Sequence, residues 1–246
     1  MIRTEQLNLI FEFGTMSSKT VMMRLGEILL KNHVSPLDFV LNGAKPASLS
    51  AVVRRIENTG ESHFHVVGQG YQFDLSPIRN FQIDMLQIAQ STDSPIPWDE
   101  WAVQFIGNPD FVMAWVVDSD YDHWQNAEDT LEYISAKKPY NHLRTKSNGL
   151  PYPLQQNVID TSANPAVRRL KLGYVEAIGA VMWLGDRFWR LTSREKCQLE
   201  DFPWLHVSAP LPGITRVQAA EQCFTSETAT SDLQAALRAA LFQKGK

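Results

Sequence analysis

Asp118-Ser119-Asp120-Tyr121-Asp122 is the stretch of this chain whose residue types and spacing hold the most chemistry. Carboxylates at alternate positions are hard oxygen ligands, and Asp129 at the twelfth position brings the spacing close to that of a calcium loop. Two features oppose a calcium site: His123 stands where the sharp turn needs glycine, and the residues before Asp118 have strand character. The same carboxylates with Asp110 could hold a catalytic magnesium ion, but no lysine follows in an E-x-K arrangement. His63 and His65 would share one strand face at a spacing that can ligate a metal. No matching His or Cys pair accompanies them, so a polar strand face is the stronger reading.

Cys197 lies beside Arg194, Glu195 and Lys196, charges that can lower a thiol pKa, yet no motif supplies a histidine base. Gly68-Gln69-Gly70 lacks the third glycine and the following helix of a dinucleotide fingerprint, and predicts a turn. G-x-S-x-G, P-loop, H-E-x-x-H and C-x-x-C patterns do not occur. These observations predict a protein that is not an enzyme, with no catalytic residue, metal site or cofactor. The rival is a metal-dependent enzyme built on Asp118, Asp120 and Asp122, with His63 and His65 as further candidates.

The acidic stretch is also rich in large rings. Trp115, Tyr121 and Trp124 interleave with Asp118, Asp120, Asp122, Glu128 and Asp129, and four of the seven tryptophans fall between Trp98 and Trp124. Trp115 belongs to an apolar run and predicts a core residue, whereas Trp124 lies in a polar one. Rings supply anchors and acids supply steering in a tight protein-binding patch. Asp118, Asp120, Asp122, Trp124, Glu128 and Asp129 are therefore the candidate partner-binding residues.

The elements that would position them follow from periodicity. Residues 5–14 alternate as a strand, and Val21, Met22, Leu25, Ile28 and Leu29 fall at helical spacing behind Ser17 or Ser18 as N-cap. A short helix is predicted over Leu49–Ile56, stopping before Gly60. Strands around Phe64–Val66 and Tyr71–Leu75 form a hairpin, and another strand covers residues 81–88. A helix follows Pro97 from Trp98 to Phe105, and Phe111–Val117 is a strand buried on both faces. Residues 139–166, with four prolines, predict a long irregular connection that is a structured functional loop or a lobe boundary. Val175–Leu184 has core-strand character without excluding helix, and the chain closes on a helix through Leu233, Leu237, Ala240 and Leu241. The irregular order predicts an α+β fold: a mixed, mainly antiparallel sheet with flanking helices. The 246 residues form a single domain or two packed lobes, about 1–90 and 91–246.

Composition narrows the setting. With 44% hydrophobic residues the chain can bury a core, and no apolar run approaches the roughly 18 residues of a membrane span. The start lacks a secretory pattern, and two cysteines suit a reducing compartment, so a soluble, cytoplasmic protein is expected. The net charge of −4 hides a strong segregation. Residues 61–136 carry thirteen acids and one base, Arg79, while residues 137–246 carry fifteen bases and nine acids. Either the acidic middle pairs with the basic final third, or it presents an anionic face to a cationic partner. Nucleic acid is a poor partner for either arrangement.

FVMAWVVDSDYDHWQNAEDTLEY (Phe111–Tyr133) and YVEAIGAVMWLGDRFWRL (Tyr174–Leu191) together resemble immunity proteins of bacterial polymorphic toxin systems, in the family found beside restriction-endonuclease-like toxin domains. The resemblance implies a non-enzymatic antitoxin that binds one cognate toxin, here a DNase effector, and neutralises it by stoichiometric occlusion. In type VI secretion systems (T6SS) such a protein protects the producer and its kin. A non-inhibitory effector adaptor or chaperone is the remaining alternative.

Overall fold

Leu7, Leu9 and Phe11 lie on one face of β1 (Arg3–Glu12) and are fully buried in the computed structural model, which describes residues 3–92, 96–196, 199, 202–226 and 230–242. Ile10 and Asn8 enter the opposite face and are equally buried, so β1 is covered on both sides. Ser17 then caps α1 (Ser18–Lys31), its hydroxyl accepting the Thr20 N–H at 3.1 Å. β2 (Val40–Leu41) is followed by α2 (Leu49–Thr59), capped by Ser48 and stopped by Gly60 in the left-handed region. β3 (Phe64–Gly68) and β4 (Tyr71–Ile78) join through Gln69 and Gly70, both at positive φ as a tight hairpin requires. β5 (Ile83–Thr92), α3 (Trp98–Ile106) and β6 (Phe111–Asp118) complete the first part of the chain.

The remainder is more broken. α4 (Ser119–Asn126) and α5 (Thr130–Ser135) follow β6 directly. β7 (Thr145–Ser147) pairs with β8 (Asn157–Ile159), and β9 (Arg169–Lys171) with β10 (Tyr174–Glu176), each as a separate small ribbon. β11 (Val181–Gly185), α6 (Asp186–Thr192), β12 (His206–Ser208), β13 (Ile214–Gln218) and α7 (Ser231–Phe242) end the fold.

Among the described residues, nine strands make one antiparallel sheet in the order β12-β13-β11-β6-β1-β5-β4-β3-β2. The fold is α+β with a dominant antiparallel sheet, as the element order predicts. On one face, α1, α2 and α3 contribute to a core that includes Leu9, Phe11, Phe73, Trp101, Phe105 and Trp183. On the other, Ile10, Met113, Trp115, Met182, Phe188 and Leu237 form a second core under α6 and α7. β6 is buried on both faces from Phe111 to Val117, which explains its unbroken apolar run. Burying each of its larger side chains contributes about 1.5–3 kcal/mol.

The predicted strand over residues 175–184 is divided, because Ala177–Ala180 leave the β-ladder between β10 and β11. There the backbone crosses so close to β6 that a Cβ on Gly179 would meet the Val116 carbonyl oxygen at 2.3 Å. Residues 139–166 are not wholly irregular, since the β7–β8 ribbon lies inside them. Among the described residues no helix is long and apolar enough to cross a membrane. Gly179→Ala should destabilise the protein by about 1–3 kcal/mol through this clash, read as a lower urea midpoint with an unchanged m-value.

Candidate interaction surface

The end of β6 determines where the acidic residues go. Asp118 is the N-cap of α4, and its side chain accepts the Tyr121 N–H at 2.9 Å. Asp120 and Asp122 occupy the first helical turn, where a carboxylate is favoured by the helix dipole. The alternate-residue pattern is therefore a helix start. Asp120, two positions from each of the others, does not face them. Asp118 is engaged as the cap and Asp122 is buried, so the three carboxylates do not converge as one metal cradle. Among the described residues no group of three or more His, Cys, Asp or Glu side chains is placed to hold a metal ion.

Asp120 points outward with its side chain 76% exposed, accepts the Trp124 Nε1–H at 2.9 Å and lies 3.7 Å from Lys138. Asp122 turns inward and is only 6% exposed. Burial pushes its carboxyl above the ordinary range, opposed by the Arg168 guanidinium 3.5 Å away and by His123. Tyr121, also partly buried, shares hydrogen bonds with the Gln234 amide and so ties α4 to α7. Asp122 has no surface to offer a partner. Its inclusion among the contact residues fails because the periodicity of α4 points this carboxylate into the protein.

Trp124 is likewise a structural anchor over much of its surface. Its ring meets Tyr133 edge-on at 4.8 Å and His123 at 4.6 Å, with the Lys138 ammonium 4.3 Å above it. It packs against a small satellite core of Ala127, Tyr133 and Ile159. Glu128 accepts hydrogen bonds from Lys146 at 2.7 Å and Thr161 at 3.1 Å. Asp129 caps α5 by accepting the Leu131 N–H at 2.8 Å and is otherwise exposed. Of the six candidates, Asp120 and Asp129 are thus the exposed carboxylates, and Asp118, Trp124 and Glu128 are partly covered.

Part of the segregated charge is paired within the molecule. Asp99 meets Arg216, Asp110 meets Arg187, Asp120 meets Lys138, Asp122 meets Arg168 and Glu128 meets Lys146, each joining the acidic middle to the basic final third. His65 bonds Asp74 on the polar side of the sheet at 2.5 Å, while His63 is exposed just before β3. Cys197 lies outside the described residues. Cys223 is buried, and burial together with Glu5 and Asp118 pushes its thiol up, the opposite of an activated nucleophile.

Among the described residues, clefts flank the sheet, and two of them are lined by charged groups. One of about 690 Å³ is walled by Trp98, Trp183 and Arg216, with Arg216 gripping Asp99 through two nitrogens at 2.8 and 3.1 Å. The other, about 680 Å³, lies over the β1–α1 turn. There the buried Asp84 carboxylate accepts the Gly14 and Met16 N–H groups at 2.9 and 3.2 Å. In the first cleft Arg216 and Asp99 neutralise each other, and in the second Asp84 is taken up by backbone N–H groups.

Sequence reasoning did not single out Lys138, Lys146 or Arg168, because cations in a base-rich segment give no signal of which acid they will meet. The prolines of residues 139–166 argue against strands, so the β7–β8 ribbon gave no signal in the sequence.

No family model matches the chain, and no curated protein does. A solved structure named "Pseudomonas aeruginosa T6SS protein PA0821" resembles it with a TM-score of 0.55. The likeness covers 99% of this chain and 74% of that one at 9% sequence identity. The two proteins share a fold.

Arg168→Met should cost about 3 kcal/mol at pH 7 by leaving Asp122 buried without its cation. The Asp122 pKa is raised on folding, so its charged form weakens the native state as pH rises from the unfolded value through the folded one. The penalty of Arg168→Met should therefore shrink as pH falls into that window. Asp122→Asn in the same background should remove that pH dependence, measured by urea unfolding across a pH series.

Proposed function

We propose that this chain is a T6SS immunity protein that binds a cognate nuclease toxin in the cytoplasm and neutralises it one-to-one, without turning over a substrate. The observation that carries this reading is the fold shared over nearly the whole chain with a protein named for that secretion system. The resemblance of Phe111–Tyr133 and Tyr174–Leu191 to polymorphic-toxin immunity proteins points the same way.

The physical task fits the surface. A nuclease must present positive charge to a phosphate backbone, and carboxylates on an inhibitor can steer toward it, speeding encounter by roughly 10–10³-fold. Here steering falls to Asp120 and Asp129, which project from consecutive helices α4 and α5, while Asp118, Asp122 and Glu128 hold the module in shape. Protection also demands slow release, since a few free toxin molecules suffice for damage, and slow release needs buried anchors as well as charge. The same acidic surface disfavours nucleic acid as a direct partner.

Co-expression with candidate T6SS nuclease toxins of the same organism tests the reading. Immunity requires growth to be restored in proportion to a stable one-to-one complex, whereas an adaptor would leave the toxin lethal. Asp120→Lys with Asp129→Lys should slow association about tenfold at low salt and flatten its salt dependence, with little change in dissociation. Stopped-flow mixing across a salt series measures this.

A further inference from the structure

Between β7 and β8 the chain runs Asn148-Gly149-Leu150-Pro151-Tyr152-Pro153-Leu154-Gln155-Gln156, nine residues without a charge. A solvated loop would turn its apolar side chains inward. This one turns them out: Tyr152 is 90% exposed, Leu154 65% and Leu150 49%.

The loop is nonetheless tied in place. The Asn148 carboxamide oxygen accepts the N–H groups of Leu150 at 3.1 Å and Gln156 at 3.3 Å, and its amide donates to the Leu154 carbonyl at 2.9 Å. Asn148 N–H donates to the Gln156 carbonyl at 3.0 Å, and Leu154 N–H to the Pro151 carbonyl at 2.9 Å. Two prolines restrict the backbone between these ties. The foot of the arm is as firm: Ile159 is buried in the satellite core, and its N–H donates to the Glu128 carbonyl at 2.8 Å.

Large apolar side chains held outward on a braced loop gain by leaving water and lose little conformational freedom when they do. We propose that the Leu150–Leu154 tip is a plug that enters an uncharged, apolar pocket on a partner protein, with Tyr152 as its central anchor. The plug deepens the immunity reading, on which it rests: carboxylates on α4 and α5 would steer the encounter and the tip would hold the complex.

A lipid surface is the other environment that takes such tips, and charge argues against it. Residues 118–160 carry seven acids and four Lys or Arg. Three of those bases, Lys138, Arg144 and Lys146, already face carboxylates of this chain. This stretch carries no cationic surplus to hold anionic headgroups. An uncharged apolar tip on a ribbon whose foot carries paired charges instead suits an apolar pocket on a protein.

Biolayer interferometry against the proposed cognate nuclease toxin tests the plug. Tyr152→Ala should weaken binding about 30-fold, chiefly through faster dissociation, and Tyr152→Ala with Leu154→Ala about 10³-fold. Asn148→Ala keeps every contact side chain but frees the loop, and should cost about tenfold. The melting temperature of Tyr152→Ala should not move, since that side chain touches little in the free protein. Double-variant binding within about threefold of wild type would overturn the plug and leave immunity standing. Tip-dependent binding to a toxin that stays lethal would overturn immunity and leave the plug, while no wild-type binding overturns both. Sedimentation of the wild type, but not the double variant, with phosphatidylglycerol-containing vesicles would replace the protein pocket with a membrane.

Discussion

Burial of β6 on both faces is the constraint from which the rest of the molecule follows. A strand with no polar face must lie inside a sheet, and it does so between β1 and β11, with helices above and below. The apolar run can continue only while both faces are covered. It stops at Asp118, which is partly exposed and ready to cap a helix. The acidic, ring-bearing module is thus anchored to the centre of the sheet, although its own core is small.

That small core relies on polar ties to a greater degree than the sheet does. Ala127, Tyr133 and Ile159 are few side chains to hold two short helices and a ribbon. Trp124 between Tyr133 and Lys138, Glu128 between Lys146 and Thr161, and Asp122 facing Arg168 supply the remaining contacts. Exposed pairs such as Lys138–Asp120 contribute little each, whereas the buried Asp122 is costly to leave alone. Most of the acids that looked available for a partner hold this module together. The arm it supports carries apolar groups that nothing within the described chain covers to any great extent.

Much of the scaffold was legible residue by residue. Ser17 and Ser48 as caps, Gly60 as a stop, the turn at Gln69–Gly70 and the double burial of Phe111–Val117 each follow from local stereochemistry or from the period of apolar residues. The division of residues 175–184 was not legible, because it arises from the close approach of Gly179 to Val116, a contact distant in sequence. The candidate site was legible in composition but not in role. Asp118, Asp120 and Asp122 look equivalent in a string, yet a helix sends them to a cap, to solvent and to the interior.

Sequence by itself determined the periodicities, the caps and the unequal division of charge, since these depend on each residue and its near neighbours. Only the tertiary structure decided which acid met which base, because Arg168 and Lys146 reach their carboxylates through chain reversals that no local pattern encodes. Only the tertiary structure, too, turned Tyr152 and its leucines outward. Exposure measures what the rest of the chain leaves uncovered, and that is known only once every other side chain has found its place.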